Sequence, residues 1–293
     1  MNAFKKYIWP FRMLILELVI IGIVLIYLVP IFMASLYIFK DDKDEFMLDA
    51  TQLPTKIYWG NFGGAVKALD MAKGITTPFR EITSNAFFNT ITLTVSALAL
   101  TVLLSVMAAY AISRSQFKWY AIVYLLFVSG ILVPYQAVFV PIYIIGSRLG
   151  FVNARYGVVF FYVATNLPFA VFMMTSFMKT LPREIEEAAI VDGCTIFRML
   201  PTIIFPMLKP AIVTISVMMS ILMWNDYLLP VLFLQKPAMQ TITLKLALLF
   251  RQYQWDLNVA FTGILLASIP VLIFFLLTQK HYIKGIAAGA LKG

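Results

Sequence analysis

The chain has 293 residues, of which 61% are hydrophobic and 13% charged, with mean hydropathy +0.88. A soluble domain carries roughly 25% charged residues, and half that content cannot solvate a globular surface, so the composition excludes a water-soluble enzyme or binding module and implies a membrane protein. The net charge of +9 comes without a basic run interleaved with aromatics, which sets nucleic acid aside and points to basic residues facing anionic headgroups.

A bilayer core of about 30 Å needs roughly 20 apolar residues in helix. Residues 1–13 form an N-terminal segment. The first stretch of that length, Leu14–Phe39, follows it and is too long, without a small-x-small end, for a cleavable signal peptide. Residues 40–85 form an outer loop that opens on the solvated run Lys40-Asp41-Asp42-Lys43-Asp44-Glu45. Five further spans follow within 86–279: Ala86–Ser113, Tyr120–Ile145, Gly157–Met178, Leu208–Leu232 and Val259–Thr278, with a tail at 280–293. The runs are continuously apolar and lack the in-out alternation of a barrel, so the fold class expected is an all-α membrane protein of six transmembrane helices. Pro30, Pro134, Pro141, Pro168, Pro230 and Pro270 fall inside these spans, where they are expected to kink helices rather than end them. Ser105 and Ala109, four residues apart, are expected to let helices approach closely.

Six crossings put both termini on one side. Lysine and arginine number 12 on that side and 11 on the other, so charge counting favours cytoplasmic termini only through the shorter, denser terminal-side segments. The connection at 180–207 carries more information. In Leu181-Pro182-Arg183-Glu184-Ile185-Glu186-Glu187-Ala188-Ala189-Ile190-Val191-Asp192-Gly193, Pro182 suits the first helical position and three glutamates suit the positive end of the helix dipole. Ile185, Ala189 and Gly193 recur every four residues and share a face, nearly flat at Ala189 and Gly193. A short interfacial helix of this kind either rests on the membrane or offers a groove-filling surface to another protein.

Chemistry-bearing residues are few. One cysteine, Cys194, excludes an internal disulfide or a cysteine metal cluster, and it reads as a small, reduced filler. One histidine, His281, excludes paired-histidine zinc motifs and sits beside Lys280 and Lys284 at a membrane boundary. No metal site and no nucleophile–base pair is present, so the chain is not expected to be an enzyme. The acids inside the spans are Glu17, one turn from the start of its span, and Asp226, near the outer end of the fifth. Desolvation of such a group is costly. Asp226 is either a hydrogen-bonded structural acid near Pro230 or a group lining an outer gate. With Trp224 and Asn225 it offers the aromatic face and polar acceptors that suit a sugar.

The string Glu187-Ala188-Ala189, Gly193, then Ile203-Ile204-Phe205-Pro206 closely resembles the EAA signature of ATP-binding-cassette importer permeases, E-A-A-x3-G-x9-I-x-L-P, with Phe205 in place of leucine. Ala108-Ala109-Tyr110-Ala111-Ile112-Ser113-Arg114 is similar to the A-A-Y-A-x-S-R of that family, Trp224-Asn225-Asp226-Tyr227 to its W-N-[DE]-[FY], and Ala287-Ala288-Gly289-Ala290-Leu291-Lys292-Gly293 to the T-A-G-A-x-K-G ending of its carbohydrate branch. The resemblance, to the maltose-permease-like subunit, implies the type I importer permease fold and a bacterial cell membrane location with both termini cytoplasmic. It implies that Ile185, Glu187, Ala188, Ala189, Gly193 and Pro206 form a coupling loop docked on a separate ATPase, and that Gly289, Lys292 and Gly293 reach that ATPase from the tail. Phe250, Tyr253 and Trp255 would touch an extracytoplasmic sugar-binding protein. The implied partners are a sister permease in a heterodimer, two ATPase subunits, the binding protein and lipid.

No G-x-x-x-x-G-K-[ST] loop occurs, so this chain is expected to bind no cofactor, ATP and magnesium being used by the partner. The alternatives are a permease of the same superfamily carrying a non-sugar solute, and an ion-coupled secondary transporter, which would want more midplane acids.

Overall fold

A computed structural model describes residues 2–41, 52–54, 56–252 and 257–290, with side chains at 13–41, 52–54, 56–78, 81–250 and 257–279. Among the described residues every regular element is helical, in the order α1 (Asn2–Ile38), α2 (Gly60–Ala68), α3 (Ala86–Arg114), α4 (Trp119–Leu132), α5 (Phe139–Arg148), α6 (Arg155–Met178), α7 (Arg183–Val191), α8 (Ile196–Met199), α9 (Phe205–Met207), α10 (Lys209–Trp224), α11 (Leu228–Phe233), α12 (Ile242–Gln252) and α13 (Leu257–Ala290). Four helical stretches are long and apolar enough to cross a membrane unbroken: Met13–Ile38, Ala86–Arg114, Arg155–Met178 and Leu257–Gln279. Two bent pairs raise the number to six.

The bent pairs correct two expectations. Tyr120–Ile145 is not one helix: α4 and the helical stretch Tyr135–Arg148 meet at 90°. Pro134 is the cause, because a residue before proline is pushed out of the helical region. Val133 is accordingly extended, at φ −83° and ψ 111°. The fifth stretch, Leu208–Leu232, also divides, because α10 gives way to α11 across Asn225, Asp226 and Tyr227. It is also preceded by helix rather than loop: Ile196–Met207 meets Lys209–Asn225 at 75°. Pro30, Pro168 and Pro270, by contrast, are carried inside continuous helices, as expected.

The chain divides into two compact units. The first is Met1–Ala68 with Leu248–Leu266. In it α1 carries an apolar stretch from Met13 to Ile38 that is exposed over most of its length and buried only near its end, at Leu36 and Ile38. The end of α1 is tied down by amides: Asn61 Nδ2 donates to the carbonyls of Ile38 (3.0 Å) and Lys40 (2.8 Å), and Asn258 Nδ2 donates to Lys40 (3.1 Å). The bond to Ile38 satisfies a carbonyl that the helix end leaves without a partner, and the two to Lys40 hold the chain just beyond it.

The second unit is Leu69–Ala247 with Ala267–Gly293. Asn85 starts its long helix α3 by accepting from the N–H groups of Phe87 and Phe88, an N-cap of the preferred kind. α3 and α6 pack together more extensively than any other two helices, around Val102, Val106, Ala109, Phe161, Met174 and Met178. Ser105 and Ala109 are both fully buried, which fits the close approach expected of that small pair. Before α3, Asp70 bonds Lys73 (3.0 Å) and Lys245. Burial alone would raise its carboxyl, but the two ammonium groups outweigh that and hold it below the usual carboxylate range.

Candidate functional site

Two places in the second unit combine polar groups with exposed or concave surface. The first is the 180–207 loop. α7 begins one residue later than expected, because Pro182 takes the N-cap position, at φ −60° and ψ 130°. Glu184 and Glu186 occupy the first turn. Glu186 turns inward, 6% exposed, and accepts Arg114 Nε at 2.9 and 3.1 Å and Arg114 Nη2 at 2.5 Å. Ala189 is also turned inward, at 8%, into the core of its own chain. The flat outer face expected at Ile185, Ala189 and Gly193 is therefore not one surface. The exposed side of the loop is formed by Ile185, Glu187, Ala188 and Val191, then Ile196 and Phe197, with Val191 and Phe197 at 87% and 86%. Three-residue spacing to the buried pair Glu186 and Ala189 explains the difference: the helix needs one face for its own protein.

Gly193 ends α7. It has φ +79°, and the N–H groups of Cys194 and Gly193 donate to Ala189 and Ile190, each at 2.9 Å. This is a Schellman cap, which favours glycine at the left-handed position. A side chain there would meet nothing within 4 Å, so the cost of replacing Gly193 is backbone strain rather than a clash. Gly193→Val is expected to cost about 1–2 kcal/mol locally and to raise hydrogen exchange across 183–199, with Gly193→Asn affected less. Equal protection in Gly193→Val and the parent would refute the cap. Further on, Ile203 is half-buried, Ile204 fully buried and Pro206 exposed within α9. Lacking an N–H, Pro206 sits just after a π-helical turn, Leu200–Ile204.

The second place is a cavity of about 610 Å³ bounded by α4, α6, α10 and the two helix breaks. Its polar lining comes from Tyr135, Gln136, Tyr162, Asn166, Asn225 and Asp226, its apolar walls from residues such as Phe169 and Ile221. Asp226 organises one end. Its Oδ1 accepts from Tyr135 Oη (3.0 Å) and the N–H of Leu228 (3.1 Å), and its Oδ2 from the N–H of Leu229 (3.2 Å). The carboxylate thus caps α11 and ties it to the α4–α5 break. Pro230 cannot donate to the Asp226 carbonyl four residues back, and Thr243 Oγ1 donates to that carbonyl instead at 2.7 Å. Asp226 is at once a structural acid and a cavity-lining group.

The expected sugar-path trio is brought together only in part. Asn225 and Asp226 line the cavity, whereas Trp224 is absent from its wall. Trp224 packs instead beside Phe87, 6.1 Å between ring centres, and lines a smaller apolar cavity of about 240 Å³ with Thr94. The sequence reading missed Tyr135, Gln136, Tyr162 and Asn166. Two of these carried a readable signal, since amides at Gln136 and Asn166 interrupt apolar spans and polar groups there are costly. Of the remaining expected residues, Phe250 is 37% exposed and meets Phe261 edge-on at 6.1 Å. Tyr253, Trp255, Lys292 and Gly293 lie outside the described residues, and Gly289 is described only as backbone in α13. Glu17 is exposed on α1. Among the described residues no cluster of His, Cys, Asp and Glu could hold a metal ion.

The chain is similar to known proteins. Residues 102–287 match the family described as binding-protein-dependent transport system inner membrane component. The chain is 32% identical to the probable starch degradation products transport system permease protein AmyC of Thermoanaerobacterium thermosulfurigenes, over 98% of this chain and 97% of that protein. It is likewise 32% identical to the multiple sugar-binding transport system permease protein MsmG of Streptococcus mutans, over 99% and 98%, and 33% identical to the melibiose/raffinose/stachyose import permease protein MelC of Bacillus subtilis, over 73% and 78%. A chain from the crystal structure of a bacterial ABC transporter that imports the acidic polysaccharide alginate shares the fold, with TM-score 0.75 and 21% identity over 92% of this chain and 95% of that one. A family match over residues 102–287, with both helix breaks and the 180–207 loop inside it, and relatives 32% identical over nearly the whole chain place the chain in a family: it belongs to the binding-protein-dependent transport system inner membrane components.

Proposed function

We propose that this protein is one of two permease subunits of an ATP-driven sugar importer, forming half of the translocation path and taking its motion from a separate ATPase through the 180–207 loop. The observation that carries the reading is the pairing of that loop, clamped to α3 on one side and apolar on the other, with a polar cavity between broken helices. Relatives named for starch degradation products, multiple sugars and melibiose, raffinose and stachyose support a saccharide cargo. The cavity's tyrosines, amides and carboxylate beside Phe169 are groups that bind sugar hydroxyls and sugar faces.

In this reading the chain holds no nucleotide. ATP and magnesium belong to two ATPase subunits, a sister permease completes the cavity, and an extracytoplasmic binding protein delivers the sugar. Both termini and the 180–207 loop face the cytoplasm. Closure of the ATPase pair draws the coupling loops together, and the helices rock between inward- and outward-open states, a two-state element biased from outside.

The test is to isolate the tagged chain from its native membrane with its companions and measure ATP hydrolysis in liposomes against maltotriose, raffinose and a phosphate or dipeptide control. Companion ATPase, sister permease and binding protein, with hydrolysis raised by a saccharide, are expected. Stimulation by the non-sugar control alone, or solute uptake by the chain with no ATPase present, would overturn the reading.

A further inference from the structure

We infer that Arg114 is the positioning residue that carries movement of α7 into the membrane core, an inference that rests on the coupling role proposed for the 180–207 loop. A nine-residue helix is too short to hold its own shape or direction in water. Something must fix α7 if a push on it is to reach the core rather than be lost in the loop. A first-turn glutamate would ordinarily stay in solvent, yet Glu186 is 6% exposed and takes the Nε and Nη2 of Arg114 together. Arg114 Nη2 also donates to the Leu181 carbonyl at 3.2 Å, so the turn before α7 and the start of α7 hang on one guanidinium. Arg183 crosses the other way, Nη2 donating to the Ser113 carbonyl at 3.4 Å.

The other end of this tie is a rigid rod. Arg114 is the last residue of α3, a helix of 29 residues, where the negative end of the helix dipole favours a cation. Val102, Val106 and Ala109 of α3 share a core with Met174 and Met178 of α6, and α6 brings Tyr162 and Asn166 to the cavity. Two packed helices therefore connect the loop to the cavity wall. A buried ion pair is a poor net stabiliser compared with apolar packing, so fixing geometry is the better account of this one. Lysine cannot replace the planar fork, because it offers a single point charge.

The experiment uses the whole transporter, with Gln136→Cys on a Cys194→Ser background as a reporter in the cavity. The labelling rate by N-ethylmaleimide is compared between the nucleotide-free and the ATP–vanadate-trapped complex. The parent is expected to change its rate by about fivefold or more, the range of a typical coupling energy. R114A and R114K should lose most of that change while the ATPase still co-purifies, and the charge-swapped R114E/E186R should regain it. R114K keeps the charge and most of the volume, so it gives the reading should R114A fail to accumulate. A nucleotide response that survives in R114A or R114K, or a swap that accumulates normally and regains nothing, overturns the tie alone. A parent whose labelling ignores nucleotide overturns the transport reading and the tie with it.

Discussion

Asp226→Leu is expected to leave little folded permease in the membrane, while Asp226→Asn keeps the fold with a lowered melting midpoint. The carboxylate accepts three hydrogen bonds, from Tyr135 Oη and from the N–H groups of Leu228 and Leu229. Leucine would strand all three donors in a place where water is scarce, and each buried unsatisfied group costs about 1–3 kcal/mol. Their sum is a large share of the few kcal/mol by which proteins are stable. It would also free α11 from the α4–α5 break, opening one end of the cavity. Asparagine retains one carbonyl oxygen to cap α11, and its amide can no longer accept at the second position. Tyr135→Phe removes one donor and one bond together, so its cost should be about 1 kcal/mol. Size-exclusion profiles and thermal midpoints of the detergent-solubilised variants check this order. An Asp226→Leu protein as monodisperse and as heat-stable as the parent would show that the carboxylate holds nothing.

The same carboxylate shows why the sequence reveals the spans better than their interruptions. Hydropathy measures whether a segment belongs in lipid, and four helices long and apolar enough to cross a membrane, or six if each bent pair is one span, are present among the described residues. It is blind to direction. Whether a proline bends a helix or ends it depends on whether the freed carbonyl finds another donor. Pro168 and Pro270 remain inside helices, whereas Pro134 begins a right-angle turn. At Pro230 the decisive partner is Thr243, thirteen residues further on and invisible to local pattern. The cavity was half legible for a related reason. Asn225 and Asp226 stand out as polar residues in an apolar run, but Tyr135 and Tyr162 are unremarkable aromatics until tertiary packing turns their hydroxyls inward. Trp224 adjoins Asn225 in sequence and points elsewhere, because neighbouring helix positions lie about 100° apart. In the 180–207 loop, four-residue spacing grouped Ile185, Ala189 and Gly193 on one face, whereas Ala189 is buried with Glu186 and Ile185 is exposed. Spacing alone does not say which side of a short helix meets the protein's own core, and Arg114, seventy-two residues away from Glu186, decides it.

If the 180–207 loop docks on an ATPase as proposed, Val191→Lys is expected to strip that partner from an otherwise normal permease. Val191 is 87% exposed at the end of α7, so it contributes almost nothing to the fold of its own chain. If the loop is gripped by the ATPase, that side chain and Phe197, 86% exposed, supply its apolar contact. Burying a valine contributes about 1.5–3 kcal/mol, and forcing an ammonium into the same contact adds a desolvation cost. A loss of about 3–4 kcal/mol lowers affinity on the order of a hundredfold to a thousandfold. Lysine separates docking from helix stability, because a cation in the last turn is favoured by the helix dipole and an aspartate is not. A defect caused by a weakened α7 would therefore be worse in Val191→Asp than in Val191→Lys, whereas a docking defect would be severe in both. Membrane insertion and melting midpoint should match the parent in Val191→Lys, and co-purification of the ATPase should collapse. Retained ATPase with a lysine at this position would place the partner's grip elsewhere on the chain.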